Sequence, residues 1–343
     1  MANLSRCKNC NGEKIFNPET GMLTCEMCGS TYPVKEMGDD PVRRIYSASY
    51  VPTENKNVLN KYECSSCGAK IVVGTDNEVK RCSSCGNTTL VKIKGATSAP
   101  DGIIPFKISR NKAAQIFSEW VGSRKFAPLD LKQMAKLQKI SGLYSPVWNM
   151  HYVETIKYSA TAGKFINKSN GQQETREYEI DKVDERKVSN ELHTGNSRIS
   201  DGFIEGLGEY DFAKARPYST DYLLGFAGIE TDIDVHKVYD EILEEASQEN
   251  KNKIESRLSN NYDFYDNLSC VTRLRNVSFN YTYIPIWANH YTYKGKEYHC
   301  YINGQTGKAT GNAPKSIFKV GGLILGIIAA VAVGVIMLLK VIS

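Results

Sequence analysis

Eight of the ten cysteines fall into two copies of one pattern, Cys7-x2-Cys10 … Cys25-x2-Cys28 and Cys64-x2-Cys67 … Cys82-x2-Cys85, with fourteen residues between the pairs of each copy. Every cysteine of the first set recurs 57 residues on, which marks a duplicated unit. A C-x2-C turn points two thiolates at one ion, and two such turns on facing β-hairpins close a tetrahedral site, the pattern of a zinc ribbon. Glycine follows three of the four turns (Gly29, Gly68, Gly86) and stands one residue later, as Gly12, in the first. Its freedom to take positive φ lets backbone N–H groups turn toward sulfur. Four thiolates leave no open coordination position, so the expectation is two structural Zn2+ ions. A segment of about 30 residues cannot bury a self-sufficient core, so metal should supply most of its folding energy, on the order of 10 kcal/mol per site.

A disulfide framework or redox dithiols would use the same cysteines, and compartment separates the readings. The leader Met1-Ala2-Asn3-Leu4-Ser5-Arg6 lacks the apolar core of a secretory signal, so the ribbons are expected in a reducing cytosol.

The other end reads as membrane. Val320–Leu339 runs twenty residues without charge or proline and is closed by Lys340. A helix of that length spans about 30 Å, the thickness of the hydrocarbon core. The expectation is one C-terminal transmembrane helix over residues 320–340, seated in the lipid bilayer. Lys308, Lys315 and Lys319 precede it and Lys340 follows, which predicts a single-pass, tail-anchored cell-membrane protein with the bulk of the chain cytoplasmic. Gly322-x3-Gly326 would let another helix approach closely.

Net charge is +5 and the pI about 8.5, without a tract of Lys and Arg dense enough to mark nucleic acid. Residues 1–40 hold four basic residues against six acidic ones, a net of −2, whereas residues 61–95 hold six against three, a net of +3. An acidic first ribbon is a poor clamp for phosphates; the second keeps nucleic acid open as a partner.

Polar stretches broken by proline organise the rest: Gly38–Arg44 with Val51–Asn57, then Gly95–Gly102. The domains expected are ribbon one at 1–37, an exposed linker at 38–60 that lets the ribbons move independently, ribbon two at 61–95, a body at 96–319 and the transmembrane helix at 320–340. Within the body, Tyr144-Ser145-Pro146-Val147-Trp148-Asn149-Met150-His151-Tyr152 matches Tyr283-Ile284-Pro285-Ile286-Trp287-Ala288-Asn289-His290-Tyr291, 139 residues on. Aromatic and β-branched residues around a proline predict a strand in each copy, and hence two related β-rich subdomains. Helices are predicted over Arg110–Val121, with Ser109 as cap, and over Val235–Leu258, with Val238, Ile242, Ala246 and Ile254 on its apolar side. The fold class is therefore α+β: two small four-cysteine ribbons, a β-rich middle region with interleaved helices, and one C-terminal span.

His151 and His290 occupy equivalent places, but no carboxylate or nucleophile recurs with them, so they read as strand histidines packed beside tyrosines. Cys270 and Cys300 read as ordinary thiols. The tyrosines from Tyr281 to Tyr301 read as sheet faces more readily than as a stacking platform for bases. No phosphate loop, H-E-x-x-H, G-x-S-x-G or G-x-G-x-x-G motif is present, so the chain does not read as an enzyme.

The ribbons, Pro105-Phe106-Lys107, Phe126-Ala127-Pro128, Tyr144–Trp148, Tyr210-Asp211-Phe212, Tyr222–Phe226 and the pairing of Ile284–Trp287 with Asn303–Lys308 together resemble bacterial membrane proteins with a transcription-factor-IIB-type zinc ribbon. The likeness covers nearly the whole chain. Members often carry replication or primosomal-helicase labels that follow the ribbons alone. The resemblance implies protein partners of the SPFH-domain and phage-shock types in an envelope-stress response, and it carries over the eight cysteines as the zinc ligands. The function expected is a cytosol-facing zinc-ribbon adaptor that recruits protein partners to the membrane; the alternative is a membrane-tethered nucleic-acid-binding factor.

Overall fold

The computed structural model describes residues 5–36, 43–51, 59–74, 82, 87–94, 99–128, 130–131, 140–169, 171–316, 319, 325–328, 331–332 and 334. Ribbon one contributes β1 (Lys14–Asn17), β2 (Met22–Cys25) and β3 (Thr31–Tyr32); a short β4 (Arg44–Ile45) follows, and ribbon two contributes β5 (Leu59–Cys64), β6 (Lys70–Gly74) and β7 (Leu90–Ile93). The body begins with β8 (Gly102–Ile103), α1 (Arg110–Ser123), β9 (Ser141–Asn167), β10 (Gln173–Thr194) and α2 (Asp201–Gly206). It continues with β11 (Arg216–Pro217), β12 (Ala227–Ile229), α3 (Val235–Asn261), β13 (Phe264–Tyr293), β14 (Lys296–Asn303) and β15 (Ala309–Gly311). The first three strands form a small sheet of their own, and the remaining twelve form one large sheet with β13 and β9 at its centre.

The duplicated motifs do not make two subdomains. They pair with each other. β9 and β13 run antiparallel with Ser145 opposite Ile284, its own equivalent 139 residues on, so Tyr144 faces Pro285 and Pro146 faces Tyr283. A local twofold axis therefore passes between the copies. It relates a short strand, a helix and two longer strands (β8, α1, β9, β10) to a second such set (β12, α3, β13, β14). Each short strand lies parallel to the other copy's long strand, β8 on β13 and β12 on β9. The repeat is exact enough to reproduce single hydrogen bonds. Trp148 Nε1 donates to the Ile233 carbonyl (2.8 Å) and Trp287 Nε1 to the Ile108 carbonyl (2.9 Å), each just before the cap of the helix leading into the partner strand. Gly195 N–H donates to Pro146 and Gly304 N–H to Pro285, both at 2.8 Å. The carbonyls of these glycines in turn accept from Ile233 and Ile108. A Cβ on Gly195 would lie 3.0 Å from Pro146 Cβ and one on Gly304 2.8 Å from Pro285 Cβ, so the close approach excludes larger residues. Pairing fills both edges of these strands while separate apolar clusters cover their two faces, Leu143 and Val147 in one and Tyr144 in another, so Leu143 to Tyr152 are buried without alternation.

Beyond this centre β9, β10 and the first part of β13 continue as a three-stranded arm, and α3 lies along one face of it. Ile254 and Leu258 pack there on Ile156, Tyr158, Ala160, Ala162 and Ile180. Asp234 caps α3 by accepting from His236 N and Lys237 N at 2.9 Å. Ser109 stands at the cap of α1 but makes no side-chain cap bond.

Three expectations are corrected. The fold is β-rich, with helices subordinate to a twelve-stranded sheet, where an α+β fold with a β-rich middle region of two subdomains and one C-terminal span was expected. Among the described residues no helix is long and apolar enough to cross a membrane. Within 320–340 the described residues, 325–328, 331–332 and 334, are helical, and the rest of that stretch lies outside the described residues. A span needs both an apolar run and a helix of about 20 residues, and the apolarity of the sequence meets the first condition alone. The single-pass location, its cytoplasmic orientation and the bilayer as a partner through residues 320–340 are therefore not retained.

The expected linker also behaves differently where it is described. Residues 43–51 lie against the body: β4 pairs with β13, Tyr46 stacks on Tyr239 of α3 (4.5 Å between ring centres), and Arg44 forms an ion pair with Asp101. Aromatic burial and a paired charge outweigh the polar, proline-broken flanks from which an exposed tether was expected.

Candidate metal centre

In ribbon one the hairpin β1–β2 sets Lys14 opposite Cys25, and β3 adds to the other edge of β2. The chain then brings Cys7, Cys10, Cys25 and Cys28 together with all four sulfurs within 4.8 Å of one another. In ribbon two β5 pairs on both sides, with β6 and β7, and Cys64, Cys67 and Cys82 converge within the same limit. Cys85 lies outside the described residues.

One closing hydrogen bond recurs at all four C-x2-C positions. The N–H of Cys7 donates to Gly12, that of Cys25 to Ser30, that of Cys64 to Ala69 and that of Cys82 to Asn87, at 2.7 to 3.0 Å. After the second cysteine the backbone turns left-handed, at Gly29 (φ 72°) and Gly68 (φ 67°). In the first turn that conformation falls on Asn11 (φ 59°) and not on Gly12. Asparagine tolerates it because its short polar side chain bonds locally. Gly12 is required for space instead: a Cβ there would come 2.9 Å from the Met27 side chain and 3.1 Å from Cys25 Sγ.

The fit to zinc rests on these distances. Tetrahedral Zn–S bonds of about 2.3 Å place sulfurs about 3.8 Å apart. Cys7 and Cys28 Sγ are 3.5 Å apart, Cys10 and Cys25 3.4 Å, and Cys67 and Cys82 3.7 Å. Donors surround the sulfurs of the first site as thiolates require: Tyr32 Oη lies 3.1 Å from Cys7 Sγ, the Asn9 N–H 3.4 Å from it, and Ser30 Oγ 3.1 Å from Cys28 Sγ. Both clusters fit structural Zn2+. All-thiolate coordination fixes turns; it does not activate water.

The ribbons attach to the body in different ways. Ribbon one grips the loop around the short helical turn at 220–223. Phe16 N–H donates to Leu224 (2.9 Å), Lys35 N–H to the Asp221 carboxylate (2.9 Å), and Tyr222 Oη to Glu36 (2.8 Å), while Phe16 packs edge-on against the Tyr222 ring. Ribbon two is part of the main sheet. β6 pairs with β12, Val72 opposite Gly228, and Lys61 Nζ meets Glu230 Oε1 at 2.6 Å with both side chains nearly buried.

His151 and His290 stay apart from the metal clusters. His151 is buried in its strand and His290 half-buried, each with Nε2 unpartnered, and desolvation pushes both down to about 4, helped by Arg43 at His151 and by His299 at His290. Cys300 is fully buried and Cys270 half-buried, and burial raises both thiols.

A polar chain at the end of β10 carried no sequence signal. Tyr152 Oη donates to Glu191, whose other oxygen lies 3.3 Å from His193 Nε2. His193 Nδ1 is 3.5 Å from Asp201, and that carboxylate accepts from the Thr194 N–H at 2.6 Å. Burial opposes a charge on His193, yet the Asp201 and then the Glu191 hydrogen bonds outweigh it and lift the imidazole to about 9. Its carboxylates come from residues two before and eight after, on different elements, so no motif spacing announces them.

The A2L zinc ribbon domain family matches residues 2–34. The uncharacterized protein YdjG of Bacillus subtilis (strain 168) is 25% identical across 98% of this chain and 96% of its own length. No solved structure matches the chain. The likeness to the A2L family is confined to ribbon one, and that to YdjG runs through ribbons and body alike.

Proposed function

We propose that this protein is a zinc-ribbon adaptor that holds a preformed recognition face for protein partners. The observation behind it is that both ribbons are locked to the body and still leave apolar side chains outward. Met27, inside the Cys25–Cys28 turn, is 77% exposed, and Val91 on β7 is 53% exposed. A surface already ordered by metal and sheet avoids part of the entropic cost of binding. A flexible methionine on one ribbon and a β-branched valine on the other each suit an apolar contact. The partners that the family resemblance implies, SPFH-domain and phage-shock-type proteins of an envelope-stress response, are the first to test. Binding to nucleic acid through ribbon two is the weaker reading, because Lys61 is already committed to Glu230.

The test uses full-length, zinc-loaded protein and a purified SPFH-domain partner in an equilibrium binding assay. Met27→Glu and, separately, Val91→Glu should each keep the zinc content of the parent protein, and at least one should weaken binding about tenfold or more, as loss of an interface anchor does. Affinity indifferent to both substitutions would exclude recognition by the ribbon faces.

A further inference from the structure

The two faces of the arm differ in charge. In β10 the residues that point toward α3 are Arg176, Tyr178, Ile180, Lys182 and Asp184, whereas Glu177, Glu179, Asp181 and Glu185 point the other way. Register with β9 sets Lys164 opposite Arg176 and Tyr158 opposite Lys182. The last turns of α3 add Arg257 and Asn261, and the chain leaves the helix at Tyr262. These residues enclose a groove of about 360 Å³ lined by Tyr158, Tyr178, Tyr262, Lys164, Lys182 and Arg257 over a floor of Ile180 and Leu258. Among the described residues no carboxylate lines it. Asp184, outside the lining, holds Arg257 at 2.7 Å and so fixes the guanidinium, which also donates to Tyr158 Oη at 2.9 Å.

We propose that this groove binds a nucleotide unit, with phosphate on Lys164, Lys182 and Arg257 and the base against the tyrosine rings. Three points separate this ligand from other anions. Cations alone would suit any polyanion, but here they alternate with rings: Lys164 Nζ lies 5.7 Å from the centre of the Tyr262 ring, Arg257 5.8 Å from that of Tyr158, and the Tyr178 and Tyr262 rings stand 5.6 Å apart. A flat, π-faced ligand gains from such walls, and an acidic peptide does not. Arg257 spends one guanidinium nitrogen, Nη1, on Asp184, and the other cations lining the groove are lysines, point charges suited to phosphate oxygens. The site is also concave, whereas a duplex is read by elements that enter its groove; a concave site takes unstacked nucleotides. The shared chemistry of a free nucleotide and of a single strand fits equally, and the assay separates these sources. The inference uses nothing of the ribbons.

Full-length, zinc-loaded protein is titrated with a short fluorescein-labelled oligothymidylate, read by anisotropy at low and at physiological salt. Saturable binding is expected at low salt. Lys164→Glu with Lys182→Glu should weaken it at least about tenfold and reduce the slope of log K against log salt by about 1.4, which is two lost phosphate contacts on a single strand. Tyr262→Ala should cost about fivefold or more. Lys157→Glu with Lys187→Glu makes the same charge change on the opposite face and should cost less than about twofold at physiological salt, where charges farther than about 8 Å are screened. Displacement by thymidine monophosphate means that a single nucleotide suffices; its failure to displace a bound oligonucleotide assigns the site to a strand. Absence of saturable binding at low salt, an equal loss in the opposite-face variant, or displacement by polyglutamate at equal charge would each overturn the proposal.

Discussion

The two ribbons share one metal pattern and one turn geometry, yet they stand in different mechanical relations to the body. Ribbon one closes its own three-stranded sheet and packs it on the body, through hydrogen bonds to the loop at 219–224 and through Phe16 and Leu23, which are buried in one apolar cluster with Phe106, Tyr144 and Trp287. Ribbon two has no separate sheet: its β6 is paired on one side inside the ribbon and on the other with β12, which itself lies beside the central β9. A zinc site can thus order a separate sheet packed on the body or a part of the main sheet itself. The ion does not decide which; the free edge of the hairpin it orders does.

The sharpest way to break this distinction is to remove one metal at a time. Cys64→Ser with Cys67→Ser forfeits a site worth on the order of 10 kcal/mol. It should unfasten β6 from β12, so that amides of Ala227–Ile229 lose protection from hydrogen exchange along with ribbon two. Cys25→Ser should empty ribbon one and leave those amides protected. If both variants expose β12 equally, the ribbons are not mechanically different.

Next in size is the seam itself. Glu230→Ala removes the carboxylate that the Lys61 ammonium, about 10% exposed at its side chain, meets at 2.6 Å. Breaking such a pair from one side costs about 3–5 kcal/mol, which thermal or urea unfolding would register. A loss below about 1 kcal/mol would mean that strand pairing alone holds ribbon two.

pH offers a probe that belongs to the body and to neither ribbon. His193 is lifted to about 9 from its ordinary 6.5. Its contribution is therefore fully present below about pH 6.5 and is lost as pH rises through 9, with a magnitude on the order of 3 kcal/mol. The melting temperature should fall over that window, and His193→Gln should flatten the fall. An unchanged profile in the variant would assign the pH response elsewhere.

The smallest effect concerns the ribbon-one contact. Tyr222→Phe removes the hydroxyl that donates to Glu36 and should cost about 1 kcal/mol. Hydrogen exchange should show ribbon one opening more often while ribbon two does not change. A matching change in ribbon two would join the two attachments after all.

Local features were legible in the sequence. Each ribbon's ligands lie within twenty-two residues, so spacing alone predicted which sulfurs meet, for seven of the eight cysteines within the described residues. The helix expected at Val235–Leu258 is found at Val235–Asn261, with Val238, Ile242, Ala246 and Ile254 buried as its periodicity predicted. The 139-residue duplication was equally visible, but repetition says that two segments fold alike and not where each lies. Their pairing about Ser145 and Ile284 appears only in register. Tyr46 and Tyr50 sit among small polar residues that read as a tether until Tyr239 and Phe279 are placed beside them. At the C-terminus an apolar run was read as a membrane span, and among the described residues no helix is long and apolar enough to be one.

What the sequence by itself determined is the set of short-range units: two four-sulfur turns, a pair of tyrosine- and tryptophan-bearing strands, and a capped amphipathic helix. Their causes, ligand spacing and side-chain periodicity, act within a few turns of chain. Only the tertiary structure decided that one ribbon keeps a sheet of its own and the other joins the main sheet, that the repeats clasp each other, and that lysines from two strands and an arginine from a helix converge among tyrosines. Those outcomes depend on which unpaired strand edges and buried faces meet across more than a hundred residues, where composition and spacing carry no distance information.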